Sequence, residues 1–157
     1  MQKQYEDLLE EARKLLGGEC DFIANQANLA ALLYCRIPYV NWVGFYRVVG
    51  EELLLGPFQG KPACARIPFG KGVCGKAVKA RKTLIVPDVH LFEGYIACDP
   101  ETESEIVVPL VEGERVIGVL DVDSPLRDRF TEEDKIGLEA LVSYLVEVSD
   151  TGFVERD

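Results

Sequence analysis

Long apolar runs are missing from this sequence. The longest, LAALLYC at 29–35 and IVVPLV at 106–111, fall far short of the roughly 20 residues that cross a bilayer. The opening MQKQYEDLLEEARK carries no apolar leader either, so a chain of the reducing cytoplasm is expected. A cationic excess is also missing. Against 27 Asp and Glu stand 17 Lys and Arg, a formal charge of -10 with a pI near 4.6. Affinity for nucleic acids and anionic membranes rests on Lys and Arg at phosphates, and both partners are therefore discounted. Histidine occurs once, as His90, and a lone loop histidine is expected to make a local hydrogen bond. There is no CxxC and no close-spaced ligand pair, so zinc held by Cys64, Cys74, Cys98 and His90 is disfavoured and no metal is expected. The glycine-rich GKGVCG stretch lacks the GxxxxGK pattern, followed by Ser or Thr, that cradles phosphates.

What is present is a chain of 157 residues that is 48% hydrophobic, with mean hydropathy +0.04. That suits one domain with a single core, spanning 1–157. Tyr5, Leu8, Leu9, Ala12, Leu15 and Leu16 recur at helical spacing and stop at Gly17 and Gly18. A second helix starts at an N-cap Asp21, carries Phe22, Ile23, Leu29, Leu32 and Leu33, and ends before Pro38. From Trp42 the period shortens. NWVGFYRVV, GEE and LLLGPF read as a hairpin. Short strands follow at 66–69 and 83–86, with VCGKAVKAR between them as a brief helix. EIVVPLV and RVIGVLDVDS flank a turn at 112–114 as a second hairpin. A last helix begins at Thr131 and is expected to present Ile136, Leu141, Leu145 and Val148 on one face. The pattern predicts an α+β domain, a central antiparallel sheet of five to six strands covered by N- and C-terminal helices. The connection 87–104 is too long for mere linkage. It holds His90, Phe92, Tyr95 and Cys98, and reads as a lid over a site.

Five cysteines is an odd number, and in a reducing compartment a disulfide is more often transient than structural. Cys20 reads as a helix-junction residue and Cys35 as a small core hydrophobe. Cys64, Cys74 and Cys98 instead sit in polar or glycine-rich turns, ACARIP, GKGVCGKA and YIACDP, which points to redox chemistry at sulfur. Cys74 opens a short helix whose N–H groups would lower its pKa, although a small residue packed behind a site is an equal account. Backbone amides of that loop are candidates for holding a carboxylate. Asp121 and Asp123, two apart on a strand, share a face and repel unless a cation lies between them; a solvated strand end is the plainer reading. Glu105 leads an otherwise apolar strand, and if desolvated its pKa would rise toward that of a proton donor. Trp42 and Tyr46 share a strand face, either as core or as an apolar wall.

The segments NWVGFY, LGPFQGKPACARIPFGKGVCG, DVHLFEGYIACD, SEIVVPL and VIGVLDVDS, in this order over about 21–148, closely resemble the free methionine (R)-sulfoxide reductases, which are GAF-domain enzymes. The resemblance implies a GAF fold, a homodimer, no cofactor, and reduction of free methionine-(R)-sulfoxide with thioredoxin as electron donor. By the same resemblance Cys98 is the nucleophile, Cys64 the resolving thiol and Cys74 an alternative resolving thiol. Glu105 would stand at the sulfoxide end as proton donor, and Asp121 and Asp123 would meet the substrate's α-ammonium. Trp42 and Tyr46 would wall its methyl group. The rival expectation is a GAF-type small-molecule or redox sensor without turnover.

Overall fold

Glycine at the first turn position nucleates each hairpin. Gly50 (φ +62) joins β1 (Trp42–Val49) to β2 (Glu52–Gly60), and Gly113 (φ +64) joins β5 (Ser104–Glu112) to β6 (Arg115–Ser124); both adopt the positive φ that tight hairpin turns demand. The computed structural model describes residues 1–157. With β3 (Arg66–Pro68) and β4 (Leu84–Val86), these strands form one six-stranded sheet in the order β3-β2-β1-β6-β5-β4. Every neighbouring pair is antiparallel, in agreement with the α+β reading.

Alternation along the strands separates two cores. On one face Val43 and Phe45 of β1, Ile106, Val108 and Leu110 of β5, and Ile117, Leu120 and Val122 of β6 pack against α1 (Lys3–Leu16), α2 (Phe22–Arg36) and α4 (Glu132–Val148). On the other face Trp42, Tyr46, Val48, Val107 and Val119 pack under α3 (Gly72–Ala80). The terminal helices therefore cover one side only; α3 and the connection before β5 cover the other. In that connection Val89 is buried, within one turn of 3₁₀ helix at Val89–Leu91. Phe92 and Tyr95 pack against the α3-side core.

Local signals place the helix ends as expected. The Asp21 carboxylate accepts from Ala24 N–H at 2.8 Å, and Thr131 with Asp134 forms a reciprocal capping box at the start of α4. Four side chains lie elsewhere than expected, the first being Leu15 of α1, 45% exposed one step around from the buried Leu16. In α2 the buried stripe is Phe22, Asn25, Gln26, Leu29, Ala30 and Leu33. Ile23 sits 100° around from Phe22, and Cys35 about 200° around from Leu33. Both are exposed, so Cys35 is a surface thiol and not a core residue. In α4 the inward stripe is Leu138, Leu141, Val142 and Leu145; Ile136, again two positions off, is 46% exposed.

Asp134 ties α1 to α4. Besides its capping role it accepts a hydrogen bond from Tyr5 Oη at 2.6 Å and pairs with Arg129 at 3.4 Å. The Tyr5 ring lies over Gly137 so closely that a Cβ there would stand 2.0 Å from the ring. Replacing glycine by alanine inside a helix normally gains up to about 1 kcal/mol, but a methyl forced into a filled contact costs about 1–3 kcal/mol or more. Gly137→Ala is therefore expected to lower the urea unfolding midpoint with an unchanged slope. A raised midpoint would mean that α1 does not pack on α4 in this way.

Candidate functional site

The register of three strands assembles the site. Asp123 of β6 faces Trp42 of β1 on one side and Glu105 of β5 on the other, so an aromatic ring and two carboxyls form a row across the sheet. Asp121, two residues along β6, projects from the same face. Gly44 makes room on β1, since a Cβ there would stand 2.5 Å from the Trp42 ring. That ring stacks on Phe58 at 5.3 Å and on Tyr46 at 6.1 Å, an apolar wall beside the acids.

Above the row lies a cavity lined by Trp42, Tyr46, Glu105, Asp121 and Asp123. Three segments close it. The first carries Cys64 and is fixed from below by two hydrogen bonds: Trp42 Nε1 donates to Lys61 O at 3.0 Å and Tyr46 Oη to Cys64 O at 2.9 Å. The second is the N-terminus of α3, with Gly72, Val73 and Cys74 on the cavity wall. The first intrahelical bond there comes from Gly75 N to Lys71 O, and Lys71 gives no side-chain cap. Like the opening amides of any helix, those of Gly72, Val73 and Cys74 lack intrahelical acceptors. The third segment is the connection before β5, which contributes Tyr95, Ile96, Cys98, Asp99 and Thr102.

Cys98 is joined to Cys64 by a disulfide, with Cα atoms 5.9 Å apart. The bond pins the lid to the fixed segment. Asn41 Nδ2 also donates to Asp99 Oδ2 and Thr102 Oγ1, both at 3.4 Å, and Lys61 pairs with Glu101 at 3.0 Å. Lys76 of α3 holds the lid from the other side, through Glu93 O and the face of Phe92 at 4.8 Å. Cys74 remains a free, buried thiol, with Sγ within 4.8 Å of carboxylate oxygens of Glu105 and Asp121. Its helix position does not lower its pKa: burial, reinforced by the negative charge of Asp121, Glu105 and Asp123, pushes the thiol up. Cys74 is thus held neutral, against the expectation from its place at a helix start.

The carboxyls also depart from a solvated strand end. Glu105 and Asp121 are 6% and 7% exposed, no Lys or Arg pairs with either of them or with Asp123, and Asp121 Oδ1 and Asp123 Oδ1 have no hydrogen-bond partner. Burial is the main cause raising all three pKa values, and their mutual repulsion adds to it. Glu105, Asp121 and Asp123 stand together as one cluster across β5 and β6. His90 lies apart, its ring Nε2 3.0 Å from Glu103 on the exposed side of the lid. Asn41 and Thr102 went unnoticed in the sequence. Asn41 at least precedes the Trp42 strand motif, whereas nothing local marks Thr102.

The GAF domain family profile matches residues 5–148. The chain is 51% identical to the free methionine-R-sulfoxide reductase of Escherichia coli, over 94% of this chain and 89% of that protein. Among solved structures it superposes on the Neisseria meningitidis free methionine-R-sulfoxide reductase in complex with its substrate. The TM-score is 0.89, with 43% identity over 94% of this chain and 90% of that one. The Staphylococcus aureus fRMsr in complex with substrate gives a TM-score of 0.86 and 50% identity, over 91% and 93% of the two chains.

A raised carboxyl pKa links the site to stability. Folding favours the protonated acid, so its contribution is complete below the ordinary carboxylate range near pH 4 and is lost as the pH rises through the raised value. Asp121→Asn removes one such group while keeping its shape. The variant is expected to gain stability relative to the parent progressively from pH 4 to pH 8, as read from urea midpoints in the oxidised state. A difference that stays constant with pH would show that Asp121 titrates normally.

Proposed function

Since the chain belongs to the free methionine-R-sulfoxide reductase family of GAF domains, we propose that it reduces free L-methionine-(R)-sulfoxide to methionine at the Cys98 cavity. The observation that carries this reading is the Cys64–Cys98 disulfide at the mouth of a cavity floored by buried acids. A two-electron reductant and a proton source stand on one small-molecule site.

In the first step the Cys98 thiolate attacks the sulfoxide sulfur. A protonated carboxyl, which we assign to Glu105, donates to the sulfoxide oxygen; its raised pKa keeps the acid form available near neutrality. The substrate S–O bond and the newly formed S–S bond then break as the oxygen passes to Cys98 Sγ as a sulfenic acid, and methionine leaves. In the second step the Cys64 thiol attacks Cys98 Sγ, the oxygen departs as water, and the disulfide forms. Sulfoxide sulfur has gained the two electrons that the thiol pair has lost. A dithiol, in our reading thioredoxin, then restores both cysteines by exchange. The neutral, enclosed Cys74 is less suited than Cys64 to attack, and we keep it as an alternative resolving thiol only.

Recognition follows from charge and shape. A free amino acid brings one ammonium into a cluster that holds no cation of its own, and we assign Asp121 and Asp123 to it. Amides at the start of α3 suit the α-carboxylate, and the Trp42 and Tyr46 rings suit the thioether methyl. No metal or cofactor enters the scheme. The same reading takes the protein as a cytoplasmic homodimer acting under oxidative stress; no helix is long and apolar enough to cross a membrane.

Three variants test the division of labour among the two thiols and the acid. Cys98→Ser is expected to release no methionine from the sulfoxide, and Glu105→Gln to lower kcat by about 10²–10⁴-fold, the range for a lost general acid. Cys64→Ser is expected to release about one methionine per site and then recycle poorly with thioredoxin, as counted by quenched single-turnover chromatography. Sustained turnover by Cys98→Ser would remove that thiol from the chemistry, and normal recycling by Cys64→Ser would pass the resolving role to Cys74.

A further inference from the structure

A second cavity opens on the opposite face of the sheet between the start of α2, the β1–β2 ladder and the C-terminal segment. Phe22, Ile23, Pro57 and Phe153 give it apolar walls, and Gln26 and Arg47 supply its polar groups. Arg47 follows Tyr46 on β1 and so points away from the Cys98 cavity.

Two observations mark this as more than a surface dent. Every other arginine in the chain has an ion pair, a carbonyl acceptor or an aromatic ring beneath it. Arg47, partly buried in a protein of charge -10, has none. Beside it Gln26 is 5% exposed; no protein group hydrogen-bonds its amide, which opens onto the cavity and is not sealed in the core. A guanidinium fork and an amide, both unpartnered and lining one apolar cavity, match a carboxylate attached to an apolar body. No acidic residue lines the cavity, so an ammonium there would meet the Arg47 charge and no counter-charge.

We propose that this back-face cavity binds a small monocarboxylate with a compact apolar body and no ammonium, such as a 2-oxo acid or an aryl or branched alkyl acid. The carboxylate sits on Arg47 and Gln26, and the apolar body lies against Pro57 and the edge-to-face pair of Phe22 and Phe153. Free amino acids, the substrate class of the Cys98 cavity, are excluded from it. The two sites stand back to back across β1.

Phenylacetate, phenylalanine and 2-phenylethanol share a ring and differ in charge, and ¹⁵N NMR titration of the full chain in its oxidised form separates them. Phenylacetate is expected to shift the amides of Gln26, Arg47, Gly56 and Phe153 saturably. Losing a charge-assisted hydrogen bond costs roughly 10- to 100-fold in affinity, so 2-phenylethanol should bind that much more weakly, as should phenylacetate to a folded Arg47→Gln variant. Phenylalanine should bind at least several-fold more weakly than phenylacetate. Gln26→Leu, which leaves the arginine in place, should weaken phenylacetate less than Arg47→Gln does. The proposal is overturned by the absence of saturable shifts. Equal affinity for phenylalanine, undiminished binding by Arg47→Gln, or shifts centred on Trp42 and Cys98 would overturn it too. None of these readouts depends on sulfoxide reduction, so the proposal stands or falls apart from that activity.

Discussion

The antiparallel register of β1, β6 and β5 is the constraint on which the site depends. Val43, Val122 and Ile106 face the helices and are fully enclosed in the larger core, and their sequence neighbours Trp42, Asp123 and Glu105 must then face the other way. A slip of one residue would exchange the two sets, putting three aliphatic side chains into the cavity and driving two carboxyls into hydrocarbon. The hydrophobic effect on one face of the sheet therefore dictates the placement of acids on the other. Chemistry is positioned by residues that take no part in it.

That arrangement is costly by itself. Three carboxyls crowd together away from water with no basic side chain among them, an arrangement tolerated only if some remain protonated. The stability that offsets it comes from the far face, where α1, α2 and α4 enclose the aliphatic core and Asp134 fastens two of the helices. Division of labour continues in the two cysteine segments. Cys64 rides on backbone held by the Trp42 and Tyr46 side chains, whereas Cys98 rides on a lid held through long Asn41 contacts, a lysine and an exposed ion pair of little strength. In the proposed cycle the thiol that meets substrate is on the loosely held side and the thiol that waits for it is on the fixed side.

Much of this was legible in the chain. The helix starts at Asp21 and Thr131, both hairpins, and the shared face of Asp121 and Asp123 follow from capping chemistry, turn glycines and the two-residue period. Cys35 and Ile136 are exposed despite their apolar character because each lies about 200° around its helix from the inward Leu33 and Leu138. The electrostatics of the site were the hardest to read. Neither the neutrality of Cys74 nor the merging of Glu105 with the aspartates can be found along the chain, because each depends on groups 16 to 49 positions away being brought beneath one lid. The role of Asn41 is hidden for the same reason, since its partners Asp99 and Thr102 lie on that lid.

Steady-state reduction of the two separate epimers of free methionine sulfoxide, coupled to thioredoxin and its reductase, tests the central claim most directly. The account predicts many methionines released per protein from the R epimer, one reducing equivalent pair consumed for each, and none from the S epimer. Oxidation of the protein once per chain, with no continuing methionine release, would contradict it and leave a redox sensor in place of an enzyme.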